Sequence, residues 1–260
     1  MTGRSWTPRR IAGGIGRRVP LRPLRPFFPY AVWRPLFRIW LGTIRAQSDR
    51  RRAMRQLLEV YQDAYVGADL GAIAYDDGVH AKHRLTRYHD FFVERIRPGE
   101  RVLDVGCGKG ELAHDVAERA GATVIAIDAS PWMLEFARVH KAHPRVTYVQ
   151  ADAVEYVPEE PVDVAILSNV LEHIGPRVPL LRALRERAGA RRVLVRVPVL
   201  DRDWTVPLRR ELGLPFFSDP EHKVEYDPEL LREELVAGGW EMGEPLLVWG
   251  EIWVEASAFE

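Results

Sequence analysis

Three glycines, four acids and a histidine, set at the ends of short apolar runs, are the residues of this 260-residue chain whose types and spacing suit chemistry. In Val-Leu-Asp-Val-Gly-Cys-Gly-Lys-Gly-Glu-Leu (102–112), Gly106, Gly108 and Gly110 surround Cys107. They let the backbone turn tightly and approach a ligand where a Cβ would collide. Such a loop alone also suits a dinucleotide, or is no more than a tight turn. Asp104, just before it, repels a pyrophosphate but suits a cationic amino-acid group, which argues against a nicotinamide dinucleotide. Asp128 lies 24 residues beyond Asp104 and ends the run Val-Ile-Ala-Ile-Asp, where an acid can accept both hydroxyls of a ribose. Ala129 and Ser130 follow it as further candidate contacts. In Gln-Ala-Asp-Ala (150–153), Asp152 can accept an adenine amino proton, with Ala153 beside it. The fourth stretch, Asp-Val-Ala-Ile-Leu-Ser-Asn-Val-Leu-Glu-His-Ile (163–174), adds Asn169 and Val170 to the candidate ligand site.

These residues need a frame, and from Arg101 onward the pattern supplies one. Apolar runs alternate with helical segments, the signature of a parallel sheet covered on both faces. Strands are expected at about 101–105, 123–127, 146–150, 162–168 and 191–197, with helices at about 109–120, 130–141 and 176–188. Ser130 and Pro131 read as N-cap and first helical residue. After an irregular stretch, 198–226, Asp227-Pro228 opens a helix running to Gly238-Gly239, and two strands at about 241–248 and 251–258 form a terminal hairpin around Gly250. All four chemical stretches then fall at carboxyl ends of parallel strands, the edge where open α/β sheets bind ligands.

With these motifs assembled, residues about 100–260 resemble the class I S-adenosylmethionine (SAM)-dependent methyltransferases. The glycine loop matches that family's first motif, Asp128 its ribose-binding acid, and Asp152 with Ala153 its adenine-side motif. Ser-Asn-Val-Leu-Glu-His (168–173) is similar to the fourth motif of members acting on small molecules, lipids and sugars. The resemblance implies SAM as cofactor and a Rossmann-like, seven-stranded α/β sheet ordered 3-2-1-4-5-7-6, with strand 7 antiparallel and helices on both faces. Upstream, Gly-Val-His-Ala-Lys-His-Arg-Leu-Thr-Arg-Tyr-His-Asp-Phe-Phe (78–92) resembles methyltransferases of bacterial surface-polysaccharide and glycolipid biosynthesis. That likeness makes Lys82, His83, Arg84 and Tyr88 candidates for a segment closing over the cofactor, an arginine pairing with its carboxylate. The competing reading is a basic solvated helix with Leu85, Phe91 and Phe92 packed inward.

The reaction implied is an in-line displacement, in which the enzyme aligns a nucleophile with a methyl group and removes the proton of a hydroxyl acceptor. His173 is the leading base, Glu172 the nearest alternative, and His222 a third candidate from the insertion after the fifth strand, among Glu221, Lys223 and Glu225. Asp201, Asp203 and Trp204 are similarly placed. A metal held by Glu172, His173 and His222 is conceivable, but no ligand spacing supports it and none is assigned. The acceptor expected is a hydroxyl of a sugar, glycan or glycolipid, with a quinone, lipid or other small molecule as the alternative. A nicotinamide-dependent oxidoreductase and a non-catalytic SAM-binding protein are the remaining readings.

Charge separates the chain into unlike parts. Residues 1–55 hold 14 of the 37 basic residues and one of the 37 acidic ones, Asp49, so this stretch carries +13 and the rest −13. Residues 1–26, rich in Arg, Gly and Pro, are expected to be a flexible basic arm, 27–98 a helical extension, and 99–260 the methyltransferase domain. From Pro35 a helix would gather Arg34, Arg38 and Arg45 on one edge, opposite Leu36, Phe37, Ile39, Trp40, Leu41 and Ile44. A further helix is expected over about 49–66, with Met54, Leu57, Leu58, Tyr61 and Tyr65 at helical spacing. The basic, aromatic stretch suits an anionic membrane surface, contacted through residues 1–45, and the alternative is packing on the core or on a second subunit of a homo-oligomer. No run approaches the roughly 18–20 apolar residues of a membrane span. Arg9-Arg10 lacks the apolar run of an export signal. A cytoplasmic protein, peripheral at the inner face of the membrane, is expected, in keeping with a single cysteine, Cys107. Nucleic acid is disfavoured, because Ser168-Asn169-Val170-Leu171 lacks the aromatic platform of amino-methylating DNA enzymes and the domain itself is acidic.

Overall fold

The computed structural model describes residues 30–76, 80–217, 219 and 221–259, so the arm expected over 1–26 lies outside the described residues. The chain divides into two compact units at Val60/Tyr61. In the first, α1 (Tyr30–Arg45) is followed by α2 (Arg50–Tyr75), which continues into the second unit. The α1 helix starts five residues before Pro35, with Pro35 inside it, where the ring forfeits one backbone hydrogen bond near the helix start. Asp49 caps α2, its carboxylate accepting the Arg52 N–H at 2.9 Å, and Gln47 bonds Gln56 across the turn at 2.8 Å. The α2 helix runs nine residues past its expected end. It continues through Gly67 and Gly71, carried by Ala68, Leu70, Ala72 and Ala74, residues that favour helix.

The second unit is a doubly covered sheet. Five parallel strands, β1 (Arg101–Val105), β2 (Thr123–Asp128), β3 (Val146–Gln150), β4 (Val164–Ser168) and β5 (Arg192–Pro198), are joined by β8 (Glu251–Ala258), antiparallel to β5. With Trp240–Met242 as β6, the order is β3-β2-β1-β4-β5-β8-β6, as expected, except that the sheet has eight strands. The single penultimate strand expected over 241–248 is two, β6 (Trp240–Met242) and β7 (Leu246–Val248), both antiparallel to β8. Pro245, between them, has no N–H to give the ladder.

Alternate residues of these strands feed two cores. One face packs Leu103, Leu167, Val195 and Val254 against α7 (Arg177–Glu186) and α9 (Pro228–Ala237) through Leu180, Leu184, Leu231 and Leu235. The other packs Val102, Val124, Ile166 and Leu194 against α4 (Tyr88–Val93), α5 (Glu111–Asp115) and α6 (Pro131–His140) through Phe91, Phe92, Leu112 and Leu134. Near-continuous apolar strands are what a sheet buried on both faces requires. The helix expected over 109–120 begins at Glu111 and widens into a π-turn over Val116–Ala120. The stretch 198–226 contains a short helix, α8 (Thr205–Glu211), and α3 (Ala81–Thr86) precedes α4.

Candidate functional site

The glycine loop turns directly off β1. Gly106, Gly108 and Gly110 all take positive φ (66°, 54° and 79°), which a side chain resists. A Cβ on Gly110 would lie 2.5 Å from the Tyr148 hydroxyl, and one on Gly106 would lie 2.8 Å from Val170 Cγ2. The second contact locks the loop after β1 to the loop after β4. At Gly108 a Cβ would meet nothing within 4 Å, so this glycine faces open space. Cys107 is buried, and burial together with the Asp104 and Asp128 charges pushes its thiol pKa up, so it stays a protonated packing residue.

The acids divide by environment. Asp104 is 2% exposed, and its Oδ2 has no partner among the described residues. Burial, with the nearby Asp128 charge, raises its pKa to about 7. Asp128 is half-buried, and its two oxygens accept the Gly108 N–H at 2.9 Å and the Ser130 N–H at 2.8 Å. It therefore ties the glycine loop to the end of β2, and each oxygen keeps a second lone pair for a ligand. Ser130 caps α6, as its position before Pro131 predicts, accepting the Met133 N–H at 3.4 Å, and the Ala129 carbonyl accepts from Gln150 at 3.4 Å. Asp152 is exposed and caps its own loop through the Val154 N–H at 2.8 Å, with Ala153 half-buried within that turn. Asn169 sits at φ 55°, a left-handed conformation rare outside glycine, with a buried Oδ1 that has no partner among the described residues. A strained backbone holding an unsatisfied acceptor beside the glycine loop is the kind of feature found at ligand sites.

Directly after Val170, Glu172 and His173 sit in a 3-10 turn, Leu171–His173. The chain segment carrying His222 folds onto this turn, the Lys223 N–H donating to the Glu172 carbonyl at 2.6 Å. The His173 and His222 rings meet edge-on at 4.6 Å. Ligand atoms of Glu172, His173 and His222 all lie within 4.8 Å of one another. Glu172 is fully buried, neither of its carboxylate oxygens has a partner among the described residues, and burial lifts its pKa to about 7. Burial, then the His222 charge, lowers the His173 pKa. His222 Nδ1 lies 3.1 Å from Glu225, which in turn accepts from Arg202 at 2.7 Å. A carboxylate on one ring nitrogen fixes the imidazole's orientation, whether the imidazole acts as a base or as a metal ligand. The three residues can therefore take a proton from a hydroxyl or hold a divalent cation, a geometry that residue spacing did not show. Asp203 accepts the Thr205 N–H at the start of α8 at 2.7 Å, and Trp204 is exposed.

The segment upstream of β1 meets the sheet at a pair that sequence reasoning missed. Arg196, 4% exposed near the end of β5, makes a bidentate pair with Glu251 of β8, both bonds 2.7 Å. The Tyr88 ring covers the guanidinium at 3.9 Å, and Lys82 Nζ lies 3.6 Å from Glu251. His83 packs edge-on against Tyr88 at 5.1 Å, and burial, followed by the Arg196 charge, lowers its pKa to about 4. Burial raises the Tyr88 hydroxyl to about 12. Arg84 points elsewhere: it is exposed and pairs with Asp76 at 3.2 Å, which satisfies its guanidinium without a cofactor carboxylate. Phe91 and Phe92 are buried as the packing alternative expects, but Leu85 is 53% exposed. The signal for Arg196 was present in Arg-Val-Leu-Val-Arg-Val-Pro, since a cation in the interior of a buried strand demands a buried anion.

Comparison with known proteins bears on the domain and its fold. Residues 102–192 match a methyltransferase domain family. The fold is that of the class I SAM-dependent methyltransferases: an S-adenosylmethionine-dependent methyltransferase from Mesorhizobium loti superposes with a TM-score of 0.53 at 17% identity, covering 64% of this chain and 94% of that one. The [4+2]-cyclase SpnF superposes with a TM-score of 0.54 at 21% identity, covering 66% and 81%, so the shared architecture by itself does not specify a reaction. Among curated proteins, the chain is 36% identical over 99 residues to a ubiquinone biosynthesis O-methyltransferase of Xanthomonas campestris pv. campestris (strain B100), covering 36% of this chain and 41% of the relative. It is 32% identical over 124 residues to the mitochondrial protein of that name from Schizosaccharomyces pombe, covering 44% and 45%. The chain thus spans less than half the length of these curated relatives.

Proposed function

We propose that this chain is a SAM-dependent O-methyltransferase whose acceptor is an acidic, phenol-like hydroxyl of a quinone-type small molecule. The observation that carries the reading is the Glu172–His173–His222 cluster, with Glu172 and His222 buried, which begins two residues beyond Val170, the residue packed against Gly106 of the glycine loop. Bound SAM supplies an electrophilic methyl on a sulfonium and leaves as a neutral thioether. Asp104 and Asn169, with buried acceptors that lack partners among the described residues, would receive its cationic amino-acid end, Asp128 would hold the ribose and Asp152 the adenine. These groups fit a cationic nucleoside better than a pyrophosphate. The open space at Gly108 leaves room for its approach.

The acceptor side argues from magnitude. Glu172, held at about 7, takes the hydroxyl proton as the oxygen bonds to carbon, and His222, oriented by Glu225, shares the role with His173. A phenol ionises near 10, so the mismatch with a base near 7 costs about 4 kcal/mol, within reach of general-base catalysis. A sugar hydroxyl is far less acidic and leaves a much larger gap. The relatives named for ubiquinone biosynthesis support the same choice, over the sugar or glycolipid acceptor that residues 78–92 suggested. The test is radiolabelled methyl transfer to a catechol, an alkyl phenol and a reducing sugar. Transfer to the aromatic hydroxyls is expected, falling about 10²–10⁴-fold in Glu172→Gln while calorimetric SAM affinity is kept. Exclusive methylation of the sugar would overturn the acceptor assignment.

The unpartnered Glu172 oxygens beside two imidazoles favour one second reading, a divalent cation held by Glu172, His173 and His222 that polarises the hydroxyl. A chelator separates the two, since turnover persists in EDTA if the cluster acts as a base and is lost, then restored by added Mg²⁺ or Zn²⁺, if it holds a cation.

A further inference from the structure

We infer that α1 is an interfacial anchor that lies flat on an anionic lipid surface. The helix forms over Tyr30–Arg45, and of its residues only Ile44 is buried. Ile39 is 65% exposed, Leu36 54%, Trp40 47% and Phe37 45%, with Phe37 and Trp40 rings 5.7 Å apart. At 100° per residue, Leu36, Ile39, Trp40 and Phe37 share one side, while Arg34, Arg38 and Arg45 cluster within about 40° on the other. All three arginines are exposed. An apolar side crowned by aromatic rings, backed by a cationic polar face, is the arrangement that settles at the headgroup boundary. Sixteen residues span about 24 Å, and no described helix is long and apolar enough to cross a membrane, so the helix lies on the surface rather than through it.

Charge selects the occupant. Residues 1–55 hold 14 arginines and a single acid, Asp49, whose carboxylate already caps α2. A second copy of this chain would bring a second +13 segment against the first. The preceding 1–29, with seven arginines and no acid, has the same sign and the same disadvantage as a cover. A nucleic acid would neutralise the arginines but offer nothing to Leu36 and Ile39. An anionic bilayer answers both features at once, its phosphates meeting the guanidiniums and its acyl boundary the apolar side.

The experiment is vesicle co-sedimentation of the full chain with phosphatidylcholine alone and with phosphatidylcholine containing phosphatidylglycerol, read together with Trp fluorescence quenching by brominated acyl chains. The chain is expected to pellet with the anionic vesicles only, with quenching. Leu36→Glu/Ile39→Glu should lower partitioning by about tenfold or more, and Trp40→Phe should keep partitioning while reducing the quenching. Light scattering without lipid is expected to be the same for the wild type and the Leu36→Glu/Ile39→Glu variant. Absence of pelleting, pelleting unaffected by the double substitution, or a lipid-free dimer that the double substitution dissociates would overturn the assignment, the last giving the face to a second copy.

Discussion

A carboxyl group that is almost wholly buried and still half-ionised near neutrality makes ligand binding depend on pH. Asp104 is such a group, its pKa raised to about 7 by burial and by Asp128. The folded protein therefore holds a proton on Asp104 between the ordinary carboxylate range and about 7, where the unfolded chain does not. Free protein loses stability as pH rises through that window, because the buried group must finally ionise. A cationic ligand reverses the sign, since it prefers the ionised carboxylate. SAM affinity is then expected to weaken as pH falls below about 7, by up to about tenfold per unit. The thermal stabilisation by SAM should be larger near pH 8 than near pH 6. In Asp104→Asn both trends should flatten, with weaker binding throughout. Calorimetric titration across the range checks this, and an unchanged slope in the variant would assign the proton to another group.

Elements carry the residues, and the pair holding the segment before β1 to the sheet is the one whose loss should be felt most. Arg196→Met leaves Glu251 buried and stripped of its bidentate partner, although the Trp253 indole still donates to it at 2.9 Å. Breaking a buried pair in this way costs about 3–5 kcal/mol, a fall in Tm on the order of 10 °C for a unit of this size. Arg196→Met/Glu251→Leu, which removes both charges, should recover most of it. Burial works against the Glu251 charge, but the Arg196 bonds outweigh it and hold the pKa low. Its contribution is present above the ordinary carboxylate range and lost as pH falls through the lowered value, so the gap between wild type and Arg196→Met should narrow in acid, as melting curves would record. This pair also marks where the sequence stopped being legible. The strands follow from period, because a twice-covered parallel strand must be apolar, whereas their order came from the resemblance of the glycine loop and its companion motifs to a known fold. What depends on side chains distant in sequence does not follow. The pairing of Arg196 with Glu251, 55 positions away, and the approach of His222 to Glu172 are set by packing, whereas the split of the penultimate strand follows from the local chemistry of Pro245.

At the scale of the molecule, the formal charge of zero conceals +13 over residues 1–55 and −13 over the remainder, and the two proposed sites should answer ionic strength differently. Arginines on an exposed helix act on lipid phosphates through water, where screening sets in at about 10 Å in 0.1 M salt and about 3 Å in 1 M. Asp104 acts from a nearly solvent-free position, where mobile ions do not reach. Adding NaCl should therefore weaken partitioning onto anionic vesicles steeply while leaving SAM affinity nearly level. The lipid binding that survives at high salt measures the apolar side of α1, which screening does not touch. Leu36→Glu/Ile39→Glu should remove that residue of binding, whereas Arg34→Gln/Arg38→Gln/Arg45→Gln should flatten the salt response and spare it. Co-sedimentation and SAM titration in the same salt series check the separation. A lipid affinity indifferent to salt would mean that the arginines do not face the phosphates, and a SAM affinity falling in parallel would mean that the cofactor's charge is met by exposed groups rather than by Asp104.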